Sequence, residues 1–158
     1  MTVVLALAAL AVALGSERFG GLVPCALCLV ERWPYRVAAV LGVAALAVPS
    51  AWRVPRQVLL WLVVVSMVAS VAAAVVHVGV EQGRWPSPLP ECAAPSFGGG
   101  SIAERLARMP ARPSKPCDAP TFLLPGIPIS MAGLNLLLSV VLGGFLVISL
   151  AKRDRSAS

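Results

Sequence analysis

Charge is what this sequence has least of. Only 13% of its 158 residues are Asp, Glu, Lys or Arg, where water-soluble domains carry about 25%. A surface made largely for water is therefore excluded. Aromatic residues are scarce too, at 6%, and no basic stretch is interleaved with them. That pattern gives no nucleic-acid surface, although the net charge is +6. There is one histidine, His77, so no histidine-rich metal site exists. There is also no internal repeat, which leaves repeat architectures aside. What the chain has in excess is apolar residues, at 58%, with a mean hydropathy of +0.86.

The apolar residues fall in long runs. Residues 58–80 contain His77 as their only ionisable group, and residues 129–150 contain none. Residues 33–48 form a shorter run that extends back to Cys25. Each approaches or exceeds the roughly 18–20 residues that cross the hydrocarbon of a bilayer. Residues 1–15 are apolar but short, and end in Ala13-Leu14-Gly15. They lack the positive start of a cleaved signal peptide, so they read as a first spanning helix. The expected fold is all-α: a polytopic membrane protein, a single domain over 1–158, with spans at about 1–15, 25–48, 58–80 and 129–150. A bilayer is its first partner, and nucleic acid is not one.

Basic residues are dense in the predicted turn 49–57 (Arg53, Arg56) and in the tail (Lys152, Arg153, Arg155). Short basic connections are cytoplasmic. The opposite side then holds residues 16–24 and the long loop 81–128. That loop has ten of the fourteen prolines and the run Gly98-Gly99-Gly100, and is expected to be extended and mobile. Within it, Ser101-Ile102-Ala103-Glu104 has the form of a capping box. Ile102, Leu106 and Met109 would share one face of a short amphipathic helix at the membrane surface.

All four cysteines lie on the side of that loop. Cys25 and Cys28 form C-x-x-C at the start of the second span, whereas Cys92 and Cys117 lie 25 residues apart in the loop. An even number of cysteines on one face points to an oxidising compartment, so this face is extracytoplasmic. A helix start stabilises a thiolate through its free N–H groups and dipole, and a C-x-x-C there is suited to disulfide exchange. On a helix, Cys25, Cys28, Arg32, Tyr35 and Arg36 fall within an arc of about 100°. A charge at that depth is costly and marks a functional site. Arg32 reads as a buried, unpaired cation that stabilises a thiolate and polarises a ligand carbonyl; Arg36 reads as snorkelling to the interface. A bridge between Cys92 and Cys117 would stabilise by about 3 kcal/mol if it were purely structural. In an exposed, proline-rich loop its sulfurs are instead expected to be open to an attacking thiolate. Four converging zinc ligands are not expected from this spacing, so no metal is assigned.

These residues resemble the disulfide bond formation protein B family. The resemblance rests on PCALCLVERWPYR at 24–36, HVGVEQGRWPSPLPEC at 77–92 and KPCDAPTFLLPGIPISMAGLN at 115–135, and on the order of the cysteines. It covers nearly the whole chain, apart from the short first helix and its missing basic start. The resemblance, not the spacing, implies the following. Cys92–Cys117 accepts electrons from a reduced periplasmic thioredoxin-fold oxidase of the DsbA type. Cys25–Cys28 passes them to a membrane quinone, ubiquinone or menaquinone, and so to the respiratory chain. Cys28 faces the quinone, Arg32 lies beside its ring, and His77 falls at the family's histidine position. The implied location is the bacterial inner membrane, with the cysteines on the periplasmic side. Asn135 reads as an interhelical hydrogen-bonding residue, and Glu31 has no assigned role.

Two other readings compete. A vitamin K epoxide reductase-like enzyme also couples a C-x-x-C to a quinone, but there the loop cysteines precede the C-x-x-C. A structural or transport protein with a stapled loop would leave Arg32 without a purpose.

Overall fold

The computed structural model describes residues 2–49, 51–92, 101–107, 115–123, 126 and 128–155. These are all-helical: α1 (Thr2–Arg18), α2 (Ala26–Ala47), α3 (Arg53–Glu81), α4 (Ile102–Ala107) and α5 (Met131–Arg155), with a 3-10 turn at Pro90–Cys92. Helix α2 packs against both α1 and α3, and α3 packs against α5. Two helices, Arg53–Glu81 and Met131–Arg153, are long and apolar enough to cross a membrane. Helix α1 is 17 residues long, and α2 contains Glu31, Arg32 and Arg36 within its 22 residues.

Three helix ends have a clear chemical cause. Cys25 caps α2, its sulfur accepting from the Cys28 N–H at 3.2 Å, a role usually filled by Ser, Thr, Asp or Asn. Ser130 does the same for α5, with the Gly133 N–H at 3.1 Å from its hydroxyl. Helix α3 ends in a Schellman motif. The Arg84 N–H reaches the Gly79 carbonyl at 2.9 Å and the Gly83 N–H reaches that of Val80 at 3.0 Å, with Gly83 at φ 67°.

Several boundaries differ from the sequence expectation: α1 runs on to Arg18, and α5 runs to Arg155, so the basic residues expected in a tail belong to that helix. The turn expected over 49–57 is shorter, because α3 already begins at Arg53. Pro55 does not delay the helix, since a first turn has N–H groups to spare; Arg53 and Arg56 therefore belong to α3. Where an amphipathic surface helix from Ser101 to Met109 is expected, the described residues form a short helix, α4, over Ile102–Ala107; the side chain of Leu106 is not among those described. The Ser101 hydroxyl accepts from the Glu104 N–H at 3.3 Å, and Ile102 is 78% exposed. Met109 and the Gly98–Gly100 run lie outside the described residues.

Small side chains let the helices approach. The main core joins Ala6, Tyr35, Ala38, Val63, Met67, Leu142 and Leu146 from all four long helices. Outside it, Val40, Val43, Leu46, Val65, Val68, Val140, Val141 and Ile148 are all more than 50% exposed. An apolar exterior on this scale is not compatible with a water-exposed monomer surface. At the cysteine end, the Trp85 indole folds back over Gly79 and donates to the Val76 carbonyl at 3.0 Å. A Cβ at Gly79 would run into that ring. Gly79→Val should therefore displace Trp85 and destabilise the protein by about 1–3 kcal/mol, the usual cost of overpacking. Thermal unfolding in detergent measures it, and an unchanged midpoint would show that the ring does not pack there.

Candidate active site at the cysteine end of the bundle

The second apolar cluster of the fold is built around sulfur. Cys25, Leu27, Val80, Cys92 and Cys117 pack together, with Cys28 and Leu89 at its margin. Cys92 and Cys117 form a disulfide, with a Cα–Cα distance of 4.9 Å. Cys25 and Cys28 are free, with their sulfurs 2.8 Å apart. The backbone holds these pieces in place. Cys25 pairs with Lys115 in a short parallel bridge, two residues before Cys117. The Lys115 ammonium donates to the Pro120 carbonyl at 3.0 Å and to the Thr121 hydroxyl at 2.6 Å, which closes the turn around Cys117.

The loop sulfurs are not open to solvent as expected. Cys92 is 5% exposed and Cys117 is 1% exposed. Proline and glycine content describes the backbone of the segment. It does not show that Val80, Leu27 and Leu89 supply an apolar seat that the disulfide fills.

Behind Cys25 stands a histidine. His77 Nε2 lies 3.4 Å from Cys25 Sγ, and His77 Nδ1 lies 2.9 Å from Glu31 Oε1. His77 is 2% exposed and Glu31 6%. With Nδ1–H donating to the carboxylate, the lone pair of Nε2 faces the sulfur. Glu31, without a role in the sequence reading, is thus the partner that orients His77. The available signal was its place as a second ionisable group at membrane depth. Three donor atoms, one each from Cys25, Cys28 and His77, lie within 4.8 Å of one another. The loop cysteines are tied to each other in the disulfide, and the third donor is His77 from α3.

Cys28 also lines a cavity of about 340 Å³ between α1, α2 and α5. Its polar end carries Cys28, Glu31, Arg32 and Asn135, and Leu5, Ala8, Ala9, Val12 and Leu138 line the rest. His77 is not among its lining residues. Arg32 is buried but is not the unpaired cation expected: its guanidinium grips the Glu17 carboxylate from α1 through two nitrogens. Glu17 is not legible as its partner from the sequence because it lies 15 positions earlier, on another helix. Arg36 is exposed, with its guanidinium 5.5 Å from the Trp33 ring centre.

At the cavity wall, Tyr35 ties the bundle together. Its hydroxyl donates to Asn135 Oδ1 at 2.6 Å and meets Ser139 Oγ at 2.9 Å. Ser139 in turn meets Ser70 Oγ at 2.8 Å. Helices α2, α3 and α5 are linked by this chain, as expected for Asn135. The other end of that amide, Nδ2, is buried beside Glu31. Tyr35→Phe should cost roughly 1 kcal/mol, the usual worth of such a bond between membrane helices. Unfolding in detergent tests this, and the cost should vanish in a background that already lacks Ser139 and Asn135 hydrogen bonding.

A family model described as disulfide bond formation protein DsbB matches residues 1–149. Comparisons with curated proteins and with solved structures find no match.

Proposed function

The chain belongs to the disulfide bond formation protein DsbB family, membrane oxidoreductases of disulfide bond formation, and from that premise we propose that it reoxidises a periplasmic DsbA-like dithiol protein and delivers the electrons to a membrane quinone. The observation that carries this reading is the shared seat of the two cysteine pairs: the Cys92–Cys117 disulfide packs in one cluster with Cys25, and Cys28 opens from that cluster onto the cavity. The chain is a four-span bundle of the inner membrane, with α1, α2, α3 and α5 as spans and the cysteine end on the periplasmic side. The apolar exterior of these helices and the basic end of α5 (Lys152, Arg153, Arg155) support it.

The exchange balances as two successive disulfide transfers. A thiolate of the partner protein attacks the Cys92–Cys117 bond, and its second thiol resolves the mixed disulfide. The partner leaves oxidised, and Cys92 and Cys117 become thiols. One of these, as thiolate, attacks Cys25 of an oxidised Cys25–Cys28 pair, expelling Cys28 as a thiolate; the other then attacks the mixed disulfide and expels Cys25, so that the loop disulfide re-forms and the helix pair is left reduced. His77 Nε2 is within reach of the Cys25 proton, and Glu31 holds the ring in that orientation. Because both loop sulfurs are buried, the partner must displace part of the cover over them before it reacts.

The cavity fits a quinone. Its volume is in the range of small-molecule sites, its length is apolar, and its polar lining brings together Cys28, Arg32 and Asn135. A bound quinone would accept two electrons and two protons and leave as quinol. Arg32 would hold its head group beside Cys28 and stabilise negative charge on the sulfur. Glu17 sets the position of the guanidinium.

Two experiments test this. Arg32→Met should lower quinone-dependent turnover by roughly 10- to 1000-fold, the range for loss of one charge-stabilising donor, with Arg32→Lys between. Since Arg32→Met leaves Glu17 without its partner, the Arg32→Met/Glu17→Gln double variant separates charge loss from misfolding. Arg36→Met, on the exposed Trp33 face, should change little; equal losses at both arginines would remove Arg32 from the site. The cysteines should separate by step. Cys117→Ala should stop oxidation of the dithiol partner, and Cys28→Ala should stop quinone reduction while the loop disulfide still completes one exchange. Quinone absorbance and acid-trapped thiol states read the two steps. A partner trapped only on Cys25 or Cys28 would reverse the assigned route, and no electron transfer at all would leave a merely stapled loop.

A further inference from the structure

We propose that Cys25, Cys28 and His77 form a binding site for a thiophilic divalent cation, Zn²⁺ or Cd²⁺, that exists only while the helix pair is reduced. The binding stands on the geometry of these three side chains; its consequence for turnover rests on the function proposed above.

The donor set is that of a three-ligand zinc site, two sulfurs and one imidazole nitrogen. A metal about 2.3 Å from sulfur and about 2.0–2.1 Å from nitrogen, at a tetrahedral angle, sets those two donors about 3.6 Å apart. Cys25 Sγ and His77 Nε2 are already at 3.4 Å. Two coordinated sulfurs would stand about 3.8 Å apart by the same geometry, so the present 2.8 Å must open by about 1 Å. Cys28 is the side chain free to make that move, since it is half-buried and borders the cavity, whereas Cys25 and His77 are 4% and 2% exposed.

Two further features suit a cation rather than a bare dithiol. Glu31 lies 2.9 Å from His77 Nδ1, the carboxylate–histidine arrangement that fixes the other nitrogen as a metal donor. The Cys28 N–H already donates to Cys25 Sγ at 3.2 Å, a contact that favours the thiolate form a metal requires. Charge also favours a cation: one divalent ion neutralises the two thiolates that a reduced pair would otherwise hold beside the Glu31 carboxylate. Binding releases two protons from the two thiols and transfers no electrons. The sulfur electron pairs then bond to metal and are withheld from forming the Cys25–Cys28 disulfide. Reoxidation of the pair must wait for the cation to leave, and the oxidised pair has no thiolate to offer it.

The test uses the full chain in detergent with Cys92→Ser and Cys117→Ser, so that only the helix pair offers thiols. After reduction, Cd²⁺ is titrated and followed by its thiolate charge-transfer absorbance, and ¹¹³Cd resonance reports whether the donors are two sulfurs and a nitrogen. We expect one ion per chain, a nitrogen-containing ligand set, and no binding after oxidation. His77→Ala should weaken binding by at least about 10-fold and Glu31→Gln by about 10- to 100-fold, the range for loss of a supporting carboxylate. Far-ultraviolet circular dichroism of the metal-free variants checks their folding. Binding unchanged in a folded His77→Ala protein would reduce the site to an ordinary dithiol. A sulfur-only resonance in the histidine-containing protein overturns the proposal without any substitution at His77. None of these readouts depends on a quinone or a partner protein, so the metal site can fail while the proposed electron route stands, and the reverse.

Discussion

The hydrogen bond between Glu31 and His77 is the contact on which the sulfur end of the bundle depends. It joins α2 to α3 one turn below the C-x-x-C, with both side chains almost fully buried. Neither group can be left alone there, because an uncompensated polar or charged group in an apolar interior costs several kcal/mol. Satisfying them fixes the rotation of α2 relative to α3. That rotation turns Cys25 inward to the histidine and leaves Cys28 at the cavity wall. The ion pair of Arg32 with Glu17 does the same on the other side of α2, setting α1 against it. One helix thus carries two adjacent polar obligations, each met by a different neighbour.

The division of labour within C-x-x-C follows from this. Cys25 lies in the apolar cluster with the loop disulfide and touches His77. Cys28, one helical turn on, faces the cavity with Arg32. Two sulfurs three residues apart can serve two different surroundings because the first caps the helix and the second belongs to its first turn. The disulfide Cys92–Cys117 is brought to the first of these by the bridge between Cys25 and Lys115 and by the lysine's own bonds to 120 and 121. Burial leaves that disulfide little exposed to thiols in solution.

Below the site, polarity is used sparingly and always in chains. Tyr35, Asn135, Ser139 and Ser70 satisfy one another across three helices, and Ser66 turns back to the Val63 carbonyl at 2.7 Å. Between them lie alanine, valine and glycine, whose small size allows close packing where lipid offers no hydrophobic force to drive helices together.

By itself the sequence determined the helices, the face that the C-x-x-C, Arg32 and Tyr35 share, and the gathering of all four cysteines at one end. These follow from hydrophobic run length and from the period of a single helix, both local properties of the chain. The family resemblance of its motifs is equally a property of residue order. Tertiary structure alone decided the partners: Glu17 for Arg32, Glu31 for His77, and an apolar seat for a disulfide that composition alone had read as exposed. Each of these joins residues on different helices or loops, and periodicity along one helix contains no information about which neighbour stands opposite. The start of α3 at Arg53 is a smaller instance, since a proline in a first turn and a proline in a turn look alike until the backbone hydrogen bonds are seen. What settled all of them was the requirement that every polar group taken out of water meet another.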